Sequence, residues 1–246
     1  MSPVKTAVLY RMVMPEHLCP SGLKALHLLK SKGYTVEDHW LKTRAETDAF
    51  KAQHDVKTTP QVFIDGQRIG GYSDLRLHFG ARDPKALTYT PVIAVFAVAA
   101  LIALAASQAA FHTPLTVQAA EWFVAFSMAL LAMLKLRDVE SFSTMFLNYD
   151  LLARRWVPYG YIYPFAELTA GVLMAAGVLT GFAAPLGLFI GGVGAVSVFK
   201  AVYIDKRELK CACVGGDTNV PLGFVSLTEN LFMVGMALWM LLRPHT

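Results

Sequence analysis

Residues 58–75 read Thr-Thr-Pro-Gln-Val-Phe-Ile-Asp-Gly-Gln-Arg-Ile-Gly-Gly-Tyr-Ser-Asp-Leu. Gln61 to Ile64 is an apolar strand, Asp65-Gly66 is a two-residue hairpin turn, and Arg68 to Ile69 is the returning strand. Gly70-Gly71 breaks that strand ahead of a helix around Asp74 to Phe79. Pro60 stands directly before a strand, and a cis Thr59-Pro60 bond would present the Thr59 backbone to a bound peptide. Working outward, Ala7 to Tyr10 reads as a buried strand and Pro15 to Cys19 as a loop. A helix runs from Pro20 to a C-cap at Gly33, Thr35 to Leu41 alternates as a strand, and Glu46 to His54 is a second helix. The order is β-α-β-α-β-β-α.

Beyond Pro84 the composition changes. The chain has 246 residues, 55% hydrophobic and 16% charged, with mean hydropathy +0.45. An average soluble domain is about 25% charged, and here the apolar excess lies after residue 88. A membrane-crossing helix needs about 20 apolar residues. Five stretches qualify, Tyr89 to Ala110, Val117 to Leu136, Tyr161 to Ala183, Pro185 to Tyr203 and Pro221 to Leu242. Short loops between them exclude a large soluble bundle. Small residues such as Gly187, Gly191, Gly192 and Gly194 let helices approach closely in lipid. The division expected is residues 1–84, a linker and first span at 85–116, and a four-helix membrane domain at 117–246.

The net charge of +4 does not imply nucleic acid, because no basic run with interleaved aromatics exists. The basic residues flank apolar runs and report topology. With the N-terminus inside, Lys135, Arg137, Arg154 and Arg155 fall in one cytoplasmic loop and Lys200, Lys206, Arg207 and Lys210 in the next. Only Arg243 falls outside. The first residues lack the apolar core of a secretory leader. The expectation is a multi-pass protein of a bacterial-type inner membrane, with the N-terminal domain and the loop around Cys211 and Cys213 cytoplasmic. Trp156, Tyr159, Tyr161 and Tyr163 suit an interfacial belt, and Met233, Met236 and Met240 a core stripe.

Three cysteines are too few for a disulfide scaffold, so each thiol is read as chemical. Cys19 precedes Pro20-Ser21-Gly22 at a strand-to-helix turn, where unpaired backbone N–H groups suit a nucleophilic sulfur. Cys211-Ala212-Cys213 can close a small, easily reduced ring. Lys206, Arg207 and Lys210 flank it, and Gly215-Gly216 frees its backbone. Vicinal thiolates also suit a soft metal such as copper or mercury. Glu167 and Glu229 lie inside spans, where ionisable groups are functional candidates.

These motifs together resemble glutaredoxins from Ala7 to Gly80, which implies a thioredoxin-like α/β domain. The resemblance makes Cys19 the nucleophile and assigns glutathione to Thr59, Pro60, Gly71, Tyr72, Ser73 and Asp74. Three departures stand out. Gly22 replaces the second cysteine of the motif, the loop Arg11 to Leu18 is about four residues longer than the family norm, and the usual lysine is missing, with Arg11 and His17 as substitutes. The CGFS pattern of iron–sulfur-binding relatives is absent. From Val117 onward the chain resembles MauE/DoxX-like redox-associated membrane proteins. The carrying segments are Lys135-Leu136-Arg137-Asp138, a short helix at Phe146 to Leu152, Tyr163-Pro164-Phe165-Ala166-Glu167-Leu168, and Cys211 to Gly216. MauE is associated with making disulfides in a periplasmic dehydrogenase, which contrasts with the cytoplasmic loop expected here.

The resulting expectation is a glutaredoxin domain joined to an all-α polytopic membrane bundle. It would act as a glutathione-using thiol–disulfide oxidoreductase with a Cys19 to Cys211/Cys213 relay. Its partners would be glutathione, a thiol or disulfide client and the lipid bilayer, with no metal. The alternatives are a copper or mercury carrier using Cys211 and Cys213, and an assembly factor that only recognises a client.

Overall fold

The computed structural model describes residues 5–83, 86–212 and 219–243. The chain divides into two compact units, Met1–Ala86 and Leu87–Thr246.

The first unit is an α/β thioredoxin-like fold. Its elements are β1 (Thr6–Met14), β2 (His17–Leu18), α1 (Pro20–Ser31), β3 (Thr35–Leu41), α2 (Arg44–His54), β4 (Gln61–Ile64), β5 (Gln67–Gly70) and α3 (Tyr72–His78). The central strand β1 pairs in parallel with β3 and antiparallel with β4, and β4 pairs antiparallel with β5. Ala7, Leu9, Ala25, Leu29, Val62, Ile64 and Leu75 form the core beneath α1 and α3. On the other face Tyr10 stacks on His39 and Phe50, and His54 and Phe63 extend the aromatic layer.

Two details differ from the sequence reading. The segment expected as a long loop is an extension of β1, which folds back on β2 through the pairs Val13 with Leu18 and Met14 with His17. Helix α2 begins at Arg44 rather than Glu46, because the Thr43 side chain accepts a hydrogen bond from the Glu46 N–H at 3.1 Å. A side-chain oxygen there satisfies one orphan donor of the first turn.

Among the described residues the second unit is built of helices, with one isolated β-bridge between Lys210 and Pro221. It contains α4 (Thr90–Phe111), α5 (Val117–Leu136), α6 (Val139–Phe146), α7 (Pro158–Ala176), α8 (Thr180–Phe199) and α9 (Phe224–Leu242), with a π-helical turn, Lys200–Ile204, continuing α8. Among the described residues, four stretches are long and apolar enough to cross a membrane, α4, α5, α8 with its π turn, and α9. The helix α7, expected to reach Ala183, ends at Ala176 because Gly177 takes the left-handed conformation at φ 66°, the usual glycine C-cap. Pro185 therefore lies inside α8 instead of opening it. The short helix expected at Phe146 to Leu152 lies earlier, at Val139–Phe146, capped by the Asp138 carboxylate on the Ser141 N–H.

Helix α4 packs on α5, α5 on α7, α7 on α8 and α8 on α9. Glycines set the closest approaches. A Cβ added at Gly191 would stand 3.0 Å from the Met233 Cβ and 3.1 Å from the Asn230 carbonyl, and one at Gly194 would strike the Asn230 side chain. Gly192 faces open space and takes no part. Met233, Met236 and Met240 are buried in this core. Of the four aromatics assigned to an interfacial belt, Trp156 and Tyr161 are exposed, whereas Tyr159 and Tyr163 are core residues.

Candidate functional site: one thiol and one buried disulfide

Cys19 is the N-cap of α1, with Pro20 at the first helical position, where its missing N–H costs nothing. The Cys19 N–H donates to the Met12 carbonyl at 3.3 Å, and its own carbonyl accepts from the Leu23 N–H at 3.1 Å. The sulfur is free and the residue is 5% exposed. The Thr59-Pro60 bond is cis. Gln61, the next residue, pairs with Tyr10. Tyr10 and Met12 are two residues apart on β1, about 7 Å along the strand. Cys19 and Pro60 therefore meet at the same end of the sheet. Gly71 joins them, since a Cβ there would lie 3.6 Å from the Pro60 carbonyl.

The other residues assigned to glutathione are divided in role. Gly71 is the N-cap of α3, Tyr72 and Ser73 open that helix, and the Asp74 carboxylate accepts the Gly71 N–H at 2.8 Å. Asp74 therefore holds the turn that carries Gly71. The Thr59 hydroxyl is buried without a hydrogen-bond partner among the described residues.

Arg11 does not stand in for the missing lysine. Its Nε and Nη2 donate to both Asp38 carboxylate oxygens at 2.8 and 2.7 Å, and the Trp40 ring lies 5.7 Å away. Burial pushes the Asp38 carboxyl up, but hydrogen bonds from Arg11 and Trp40 and the guanidinium charge outweigh it, leaving the group below its ordinary value. The Arg11 stem covers Gly22, where an added Cβ would lie 2.7 Å from the Arg11 Cβ. His17 is exposed on β2.

In the second unit Cys211 is disulfide-bonded and wholly buried. Cys213, Gly215 and Gly216 lie outside the described residues. The Cys211 N–H donates to the Val220 carbonyl at 2.8 Å, and the Ser226 hydroxyl donates to Cys211 Sγ at 3.0 Å. A backbone hydrogen bond ties the Tyr149 hydroxyl to Ala212.

Glu167 and Glu229 come together, joined by a residue the sequence reading had assigned to a loop. Lys135 Nζ donates to both oxygens of Glu167 at 2.8 and 2.6 Å and to Glu229 Oε1 at 3.0 Å. The three side chains are 3%, 0% and 7% exposed, and the ammonium stands 5.4 Å from the Tyr163 ring centre. The positive charge of Lys135 is taken up inside the bundle by these two carboxylates. Arg243, the exception to the charge pattern, donates to Glu121 at 2.8 Å, as does the Trp239 ring nitrogen.

Beside this cluster lies a cavity of about 20 Å³, lined by Lys135, Tyr149, Tyr163, Glu229 and Asn230 among others, and by Ser226, whose hydroxyl donates to Cys211. That is room for about one water.

Residues 113–243 match the family described as methylamine utilisation protein MauE. The chain belongs to the MauE family. Residues 7–69 of this MauE protein match glutaredoxin, so a glutaredoxin-like domain is fused to the MauE membrane unit. Among similar proteins, the hybrid peroxiredoxin hyPrx5 of Haemophilus influenzae is 41% identical over 61 residues, a quarter of each chain. A probable glutaredoxin of Synechocystis is 38% identical over 65 residues, 26% of this chain and 74% of that one. The matches join a glutaredoxin-like domain to a MauE unit with helices apolar enough to cross a membrane.

Proposed function

We propose that this MauE protein is a glutathione-using thiol–disulfide oxidoreductase in which Cys19 exchanges with the disulfide at Cys211, Cys213 being the second thiol of that loop. The observation that carries the reading is the pairing of chemical states within one chain, a free Cys19 capping a helix beside a cis-proline and a disulfide-bonded Cys211. A lone nucleophilic thiol cannot close its own disulfide, and Gly22 leaves no room for a resolving neighbour.

In the proposed cycle the Cys19 thiolate attacks the disulfide, forming one mixed disulfide and releasing one thiolate. A glutathione thiolate then attacks the Cys19 sulfur, releasing the second loop thiolate and leaving glutathione on Cys19, and a second glutathione carries off the first as oxidised glutathione and frees the Cys19 thiolate. Two thiols thus supply the two electrons that leave the membrane unit as a dithiol. Thr59 and Pro60 would align the glutathione backbone, and Gly71, Tyr72 and Ser73 would receive its glutamyl end, with Asp74 fixing that turn. The loop is proposed to face the cytoplasm, the side on which glutathione keeps thiols reduced.

The test is mass spectrometry of the full-length protein trapped with an alkylator during turnover with glutathione. Glutathione on Cys19, or a bond from Cys19 to Cys213, is the expected result. Serine at both Cys211 and Cys213 should abolish membrane-dependent turnover, and undiminished turnover would sink the relay.

A further inference from the structure

We propose that the buried Lys135–Glu167–Glu229 cluster, acting through Ser226, is the proton donor to the Cys211 sulfur when its disulfide is opened. The inference rests on the exchange reaction proposed above and adds the residues that let it proceed inside the bundle.

Cys211 has no exposed surface, so an incoming thiolate must attack the sulfur bonded to it. Cys211 is then the leaving sulfur and carries the negative charge. A buried anion needs a donor or a proton. Ser226 already donates to that sulfur at 3.0 Å. Ser226, Glu229 and Asn230 stand three and four residues apart on α9, hence on one face. All three line the cavity that Lys135 also lines. The Asn230 side-chain oxygen, in a residue 7% exposed, has no hydrogen-bond partner among the described residues. It is a polar atom turned into this space, as a water-bridged path requires. The cluster itself contains two carboxyls and one ammonium, so charge balance in a buried site places one proton on the carboxyl pair.

The step balances as follows. The attacking thiolate forms a bond to the partner sulfur and the bond to Cys211 breaks, leaving a Cys211 thiolate. Ser226 passes its hydroxyl proton to that sulfur and recovers one from the carboxyl pair through the cavity. The result is a Cys211 thiol, an ionised pair of carboxylates beside Lys135, and a mixed disulfide on the partner sulfur. The reductant supplies the electrons. Ser226 is the catalytic residue of this step, and Glu229, Glu167 and Lys135 supply its proton.

The ionisable groups around this path are Lys135 from α5, Tyr159, Tyr163 and Glu167 from α7, Tyr149 and Asp150 from the segment after α6, and Glu229 from α9. The decisive experiment follows opening of the Cys211 disulfide by dithiothreitol in the full-length protein in phosphatidylcholine vesicles, by alkylation and mass spectrometry from pH 6 to 9. Rates are divided by the reductant's thiolate concentration. The wild-type rate should then still vary with pH, because a proton donor other than the reductant takes part, and Glu229→Gln should remove that variation. Ser226→Ala should slow opening about tenfold, the loss of one hydrogen bond to a charged group, and Ser226→Thr should restore it. Wild-type rates and pH profiles in Ser226→Ala, the smallest of these changes, would overturn the proposal even if Glu229→Gln did not fold. Dithiothreitol bypasses Cys19 and glutathione, so failure of the relay would leave these rates untouched.

Discussion

At the level of single residues, ionisable side chains were the easiest to find and the hardest to place. Glu167 and Glu229 stood out in the sequence because a carboxyl inside an apolar run is costly unless partnered. Lys135 did not, since a lysine ending a hydrophobic stretch reads equally well as a topology marker. Choosing between the two requires knowing that α5, α7 and α9 meet, across separations of 32 and 94 residues. The cluster has a large expected signature. Lys135→Met leaves buried carboxylates without their cation, which costs about 3–5 kcal/mol. It should lower the thermal midpoint of the detergent-solubilised protein well below that of Lys135→Met combined with Glu167→Gln and Glu229→Gln. A midpoint unchanged by the single substitution would mean the ion pairs add nothing. Asp38 gives the corresponding test in the first unit. Its carboxyl is held below the ordinary value, so the stability it adds is present above the unfolded-state value and is lost as pH falls through the lower folded value. Hydrogen exchange of β1 and β3 should therefore accelerate below about pH 4 in the wild type, and less so in Asp38→Asn.

At the level of elements, strands and helices in the first unit were legible because each carries its own punctuation. Asp65-Gly66 turns the hairpin, Pro20 opens α1, and Gly33 closes it. The extension of β1 into a hairpin with β2 was hidden, because Arg11 to Leu18 shows no simple alternation. Its consequence is local: the Arg11 stem fills the space over Gly22, so the position that would carry a second cysteine is occupied. Gly22→Cys should destabilise the domain by about 1–3 kcal/mol through overpacking. Pairing it with Arg11→Gly, which removes the Cβ that an added Cβ at Gly22 would meet at 2.7 Å, should recover part of that loss, a coupling readable by urea titration of the single and double variants. If Gly22→Cys is neutral alone, the single-thiol site is not enforced by Arg11. In the membrane unit the boundary between α7 and α8 was blurred because Gly177 to Leu179 continues the apolar run while its backbone breaks the helix. Length and hydropathy cannot register the left-handed backbone at Gly177 and Leu179.

At the level of the whole molecule, the sequence announced two classes of structure through an abrupt change in charge density, and the same chain holds both a thiol and a disulfide. What that linkage contributes can be measured. Two groups joined by a short connection meet at an effective concentration of about 1 mM. The same two units mixed at about 10 µM would react about one hundredfold more slowly by the same arithmetic. A protease site at residues 84–86, cut after the protein is folded and purified, separates them without changing either. Turnover with glutathione should then fall by about two orders of magnitude and recover in proportion to added excess of the released first unit. Each cysteine would keep its intrinsic reactivity toward an alkylator throughout. A cut protein that turns over at the original rate would show that Cys19 does not work on the disulfide of its own chain, and would move its target to another molecule.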